Sequence, residues 1–247
     1  MKIAEYGKPD RETVLLLHGG GLSWWDRRAA AELLADRFHV VLPVLDGHAG
    51  SGAAFTGIGD SADRLLAMID RAYGGTVPLI GGLSLGAQIL TEMLARRPDI
   101  CRLAIIESAS VIPSRATAAL IGPAFSLSYG LIRRKWFAKA QFRYLRMPED
   151  LFEEYYRDTR RIEKRDMIAF LKASAGYAAR PELAGCRAEA RIIAGGKEQG
   201  RILRSAEKLH ALLPRSVLEI KDGLYHGEYS ICHPEEYVRE ILEMTGA

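Results

Sequence analysis

Short apolar runs alternate with stretches of helical apolar spacing along most of the chain. Val14–Leu17, His39–Val44, Val77–Ile80, Arg102–Ile106, Ala190–Ala194 and Val217–Ile220 each predict a strand. These runs are nearly continuous rather than alternating, the signature of strands buried on both faces of a parallel sheet. Between them, Asp26–Phe38, Asp60–Tyr73, Leu85–Ala95, Ile202–Leu213 and Pro234–Met244 space their apolar residues as helices do. In the second of these, Leu65, Leu66, Ile69 and Ala72 share a face, with Asp60 or Ser61 as N-cap. The rhythm lapses between Ser110 and Pro181, where the composition stays helical but no strand pattern recurs. The pattern predicts an α/β domain, a mostly parallel sheet with helices on both faces. Residues 1–109 and 182–247 would form it, with 110–181 inserted as a helical cap or lid.

Composition narrows this picture. The 247 residues are 48% hydrophobic and 26% charged, enough for a full core. A net charge of +3 is too mild for a nucleic-acid partner, which calls for a basic stripe. The excess is local: Arg133–Asp166 holds eleven Lys/Arg against seven Asp/Glu. Cys101, Cys186 and Cys232 lie far apart with no CxxC pair, which predicts a reducing cytoplasm rather than a disulfide framework. The opening MKIAEYGKPD has no apolar h-region, so no secretory leader is expected. The uncharged stretch between Arg115 and Arg133 is broken by Gly122-Pro123 and predicts no membrane span. With no metal-ligand cluster, phosphate loop or nucleotide fingerprint, no cofactor is expected.

The chemistry collects where predicted strands end. Gly82-Leu83-Ser84-Leu85-Gly86 is a G-x-S-x-G pattern with a strand before it and a helix after it. There a serine occupies a sharp turn that its flanking glycines permit, and its hydroxyl projects above the sheet. His18-Gly19-Gly20-Gly21 follows the first strong strand, and its N–H groups suit an oxyanion. The expected donors are Gly20, or alternatively Gly21, together with Leu85. A serine nucleophile needs a base. His39 falls in a strand pattern, His210 on a helix, and His18 reads as buried; all three read as structural. His226, in the loop after the last strand, is the preferred base, with His48 in reserve. For the carboxylate that orients the imidazole, Glu198 follows the strand Ala190–Ala194 and lies between serine and histidine in the chain. Glu107, at the end of the fourth strand, competes with it.

Together these residues resemble the α/β-hydrolase fold superfamily: HGGG at 18–21, DGHAGS at 46–51, GLSLG at 82–86, GGKE at 195–198 and GLYHGE at 223–228. The resemblance implies a Ser84–Glu198–His226 triad, with Glu in place of the more usual Asp, and makes the loop around His48 structural. It implies a serine hydrolase acting on carboxylic esters or thioesters through an acyl-enzyme. The same fold also hosts C–C hydrolases, lyases, acyltransferases and non-catalytic binding proteins. The substrate would be a small acyl compound with an apolar portion. Trp24, Trp25, Phe125 and Leu127 are the candidate pocket walls. The apolar stretch near Ala118–Leu131 is expected to face the pocket and the charged stretch Arg133–Asp166 to lie mostly outward.

Overall fold

The apolar runs pair into one seven-stranded sheet. The computed structural model describes residues 1–247, with every side chain except that of Leu127. Strands β1 (Ile3–Tyr6), β2 (Thr13–Leu17), β3 (His39–Pro43), β4 (Val77–Leu83), β5 (Cys101–Glu107), β6 (Glu189–Gly195) and β7 (Ser216–Lys221) lie in the order β1-β3-β2-β4-β5-β6-β7. Only β1 is antiparallel, pairing Ile3 with Pro43 of β3. The other pairs are parallel, with Leu15 opposite Ile80 and Ile106 opposite Ile192. Every residue of β2 and β3 is buried, as continuous rather than alternating apolar runs require.

The helices of the first half are α1 (Arg28–Leu34), α2 (Ile58–Tyr73) and α3 (Leu85–Arg96). Between β5 and β6 come α4 (Arg115–Ser128), α5 (Lys135–Tyr144), α6 (Phe152–Thr159) and α7 (Lys164–Gly176). The chain finishes with α8 (Gly200–Leu212), α9 (Glu228–Cys232) and α10 (Pro234–Thr245). Alternate strand residues face opposite layers. Leu15, Leu17 and Ile80 pack with Leu65, Leu90 and Leu209 of α2, α3 and α8. Val14, Leu16 and Leu79 pack with Leu34 of α1 and Tyr237 and Ile241 of α10. Each fully buried Leu or Ile contributes roughly 1.5–3 kcal/mol, so the two layers carry most of the stability.

Two boundaries differ from the expected ones. The helix anticipated over Asp26–Phe38 is a 3-10 turn at Trp24–Arg27 followed by the short α1. The break carries Asp26 and Arg27 into the interior, where a regular helix would have exposed part of that turn. Helix α2 starts at Ile58 after Gly57, not at an Asp60 or Ser61 cap. The Ser61 hydroxyl donates instead to Asp46 Oδ2 at 3.0 Å.

Helices α4–α7 leave the sheet at the carboxyl end of β5. Helix α4 packs along α7, and α5 along α6. Phe142, Phe152 and Tyr155 meet Trp25 and Leu83 in a third apolar cluster at the end of β4. Polar ties hold the segment down. Arg28 grips Glu154 with two bonds of 2.6 and 3.1 Å, and Thr159 Oγ1 donates to Gly21 O at 3.2 Å. The Phe55 N–H donates to Asp166 Oδ1 at 3.1 Å. Among the described residues, no helix is long and apolar enough to cross a membrane.

Candidate active site

Ser84 stands between β4 and α3 with φ 53° and ψ −109°, a conformation L-residues rarely adopt. Such strain persists only where the surroundings enforce it. Here the Ser84 N–H donates to Glu107 O at 2.9 Å and the Gln88 N–H to Ser84 O at 2.9 Å, clamping both sides of the turn. The flanking glycines allow α3 to start directly on the sheet. A Cβ on Gly86 would sit 2.6 Å from the carbonyl oxygens of Leu17 and His18, and one on Gly82 2.7 Å from Ala87 N. Gly86→Ala should therefore push α3 off β2 and cost about 2–3 kcal/mol. Denaturant unfolding checks this; an unchanged midpoint would contradict the close approach.

His226, in the loop after β7, brings Nε2 to 2.9 Å from Ser84 Oγ. Its Nδ1 lies 2.6 Å from Glu198 Oε2. A carboxylate only accepts, so Nδ1 carries the proton and Nε2 faces the serine hydroxyl as an acceptor. The His226 side chain is 45% exposed while that of Glu198 is fully buried, so the imidazole faces solvent and its partner does not. Glu198 Oε1 accepts from Ser108 Oγ at 2.7 Å and from the Gly195 N–H at 2.9 Å. Burial alone would raise the Glu198 carboxyl, but His226, Ser108 and the Gly195 N–H outweigh it and hold the group below its ordinary value.

Glu107 takes no part in this chain. It is buried between the Trp24–Arg27 turn and α9, where Oε1 accepts from the Ser230 N–H at 3.2 Å and Oε2 lies 3.7 Å from Arg27 Nη1. The residue that follows it, Ser108, turns at φ 57° and delivers its hydroxyl to Glu198. Sequence reasoning missed Ser108. Its one signal was position, at the carboxyl edge of β5 beside the expected nucleophile.

The HGGG loop closes as a turn in which Gly21 has φ 79° and the Leu22 N–H donates to Gly19 O at 3.2 Å. Gly19 donates to Asp26 Oδ2 at 3.0 Å. The Gly21 N–H donates to His48 Nε2 at 2.9 Å. The Gly21 N–H, considered as an alternative oxyanion donor to Gly20, is thus already engaged by His48. No protein acceptor meets the Gly20 or Leu85 N–H among the described residues. The two stand close together, since a methyl on Gly20 would lie 3.4 Å from Leu85 Cβ.

His18 and His48 are interior props. His18 Nε2 accepts from the Leu45 N–H at 3.0 Å, so its Nδ1 donates to Gly19 O at 2.8 Å. His48 accepts from Gly21, donates from Nδ1 to Asp46 O at 3.0 Å, and stacks on Phe170. Burial pushes His18 well below the ordinary histidine value and His48 down to about 4, so both are neutral acceptors at neutral pH.

A cavity of about 510 Å³ opens beside Ser84 and His226. Its walls come from residues 143–146 at the end of α5, from Ser110 and Ser174, and from the start of α8. The expected apolar walls are elsewhere. Trp25 is buried and donates from Nε1 to Asp158 Oδ2 at 3.0 Å, because a buried indole N–H needs an acceptor. Trp24 packs half-buried against the cores beside it. Phe125 packs half-buried on the main core. The Leu127 side chain lies outside the described residues. Among the described residues, the inserted helices reach the cavity through 143–146 at the end of α5 and through Ser174 of α7, not through Ala118–Leu131.

Residues 14–240 match the family model of the Alpha/beta hydrolase family. The chain belongs to this family. A protein of Gibberella zeae described as an AB hydrolase superfamily protein is 32% identical over 139 residues, covering 54% of this chain. The chain spans about half the length of that relative, with 47% of it covered. Among solved structures, a thermophilic esterase from Thermogutta terrifontis superposes with a TM-score of 0.80 at 18% identity, over 98% of this chain and 92% of the other. The enol-lactonase from Burkholderia xenovorans LB400 gives 0.82 at 14% identity, over 100% and 96%. MenH from S. aureus gives 0.78 at 16% identity, over 99% of each chain. At these identities the likeness is one of fold. Within the hydrolase fold, Ser84 ends the central β4, and His226 and Glu198 follow β7 and β6 on the same carboxyl edge.

Proposed function

We propose that this α/β hydrolase cleaves carboxylic esters, or thioesters, by acyl transfer through Ser84. The observation that carries the reading is the continuous chain from Ser84 Oγ to His226 at 2.9 Å and from His226 to Glu198 at 2.6 Å. His226 Nε2 takes the hydroxyl proton as Ser84 attacks the acyl carbon. The tetrahedral oxyanion is met by the Gly20 and Leu85 N–H groups, at the positive end of α3. His226 then returns the proton to the leaving alcohol or thiol, and the acyl group stays on Ser84. Water, deprotonated by the same imidazole, releases the acid. Glu198 stabilises the imidazolium in both halves of the cycle without accepting its proton. Residues 110–181 act as the cap of this site, in support of which residues 143–146 at the end of α5 wall the cavity beside Ser84.

The test is a panel of p-nitrophenyl acyl esters and acyl-CoA thioesters, read for a burst of product equal to the enzyme concentration. A burst followed by slower turnover supports an acyl-enzyme; binding without turnover would leave a ligand-binding member of the fold. The rate should fall towards acid pH, because an imidazolium cannot accept the serine proton. A rate that does not fall in acid would count against His226 as base.

A further inference from the structure

The cavity wall is basic. Arg143, Arg146, Lys197 and Arg201 all line it, against a single carboxylate, Glu198. Both Glu198 oxygens are already committed to His226, Ser108 and Gly195. Among the described residues none of the four cations is in an ion pair. Other arginines of this protein are paired, as Arg97 is with Asp70 and Arg180 with Glu182. A cleft lined by one sign of charge beside a reactive group concentrates ligands of the other sign.

Arg146 is held in place rather than left to wander. Its backbone has φ 55°, its N–H donates to Arg143 O at 3.2 Å, and its carbonyl accepts from Cys232 Sγ at 3.3 Å. This strained turn lays the guanidinium 3.8 Å from the centroid of the Tyr225 ring, and Tyr225 directly precedes His226. Lys197 Nζ reaches the same ring at 5.5 Å. Stacking uses the face of the guanidinium and leaves its N–H edge free for a planar or tetrahedral oxyanion. Ser110 adds an independent sign. It lines the cavity, is 8% exposed, and its Oγ has no partner. A buried hydroxyl without a partner is costly unless a ligand satisfies it.

We infer that the substrate carries an anionic oxygen group, a carboxylate or a phosphate, away from its scissile bond, and that Arg143, Arg146, Lys197, Arg201 and Ser110 receive it. The inference rests on the acyl-transfer reading for the word substrate, but the anion site itself does not. It replaces the apolar acyl chain expected from Ala118–Leu131.

The test pairs esters of matched shape on the intact protein. p-Nitrophenyl hydrogen glutarate is compared with p-nitrophenyl valerate, and 4-acetoxybenzoate and 4-acetoxyphenyl phosphate with phenyl acetate. At least one anionic ester should exceed its neutral partner in kcat/KM by about tenfold or more, through KM, and the gain should shrink in about 0.5 M salt. Which pair responds tells carboxylate from phosphate and acyl side from leaving side. The anionic-to-neutral ratio should fall at least about fivefold in Arg146→Gln and Arg143→Gln and hold in Arg102→Gln, at the opposite end of β5. Equal rates for every charged and neutral pair, or a ratio that survives the Arg143→Gln/Arg146→Gln double variant, would overturn the proposal while leaving the hydrolase reading intact. If no ester turns over, the hydrolase reading fails, and calorimetry with Ser84→Ala protein decides the anion site. Monomethyl glutarate binding about tenfold tighter than dimethyl glutarate supports it; equal binding overturns it.

Discussion

Ser84→Ala lowers kcat for a p-nitrophenyl ester by a factor on the order of 10⁵, leaving only the residual rate that bound oxyanion donors provide. The loss should be this large because, in the proposed mechanism, attack, acyl-enzyme formation and deacylation all pass through one oxygen. Folding should not change. Alanine has the same Cβ in the same φ 53° conformation, and the Ser84 backbone bonds to Glu107 and Gln88 involve no hydroxyl. Equal unfolding midpoints with a rate loss of this size identify a chemical defect. A variant that keeps most of its rate would remove Ser84 from the mechanism.

Glu198→Gln should lower kcat about 10³–10⁴-fold, an effect out of proportion to one atom. Glu198 Oε1 accepts two hydrogen bonds, from Ser108 Oγ and the Gly195 N–H. Glutamine must put its carbonyl oxygen there, which turns its amide nitrogen towards His226 Nδ1. That nitrogen can only donate, so His226 is driven to the tautomer with the proton on Nε2. Nε2 then points a hydrogen at Ser84 Oγ and cannot serve as base. Steady-state kinetics give the rate, and nitrogen NMR of the imidazole reads the tautomer. A rate within about tenfold of wild type would mean that Glu198 does not govern the histidine. Stability carries its own sign. Because folding holds the Glu198 carboxyl below its ordinary value, its ionised form favours the folded state above the unfolded-chain value. That contribution is lost as pH falls through the folded value. The stability deficit of Glu198→Gln should therefore shrink in acid.

What the chain reveals unaided follows from physics that is local along it. Val14–Leu17 and His39–Val44 read as strands because both faces of β2 and β3 are buried, which leaves an apolar run no room to alternate. The end of β4 was less legible. Gly81 and Gly82 carry no hydrophobic signal, and the strand runs past Ile80 to Leu83. The proximity of Ser84, Glu198 and His226 was readable from motif spacing and chain order, because each closes a strand on one sheet edge. Two features had no local signal. The engagement of Gly21 by His48 spans 27 positions and depends on how two loops stack. The inserted helices carry no local signal of direction, because an apolar stretch does not say which surface it packs on. Phe125 packs its apolar surface on the main core, and residues 143–146 at the end of α5 wall the cavity.

The central claim is that Ser84 is a nucleophile activated by His226. Its most direct measurement is fluorophosphonate labelling of the native protein, followed by intact mass and peptide mapping. The account predicts one adduct per chain, on the peptide containing Ser84, absent from Ser84→Ala and from unfolded protein. No adduct on native protein, or an adduct that persists in Ser84→Ala, would contradict it.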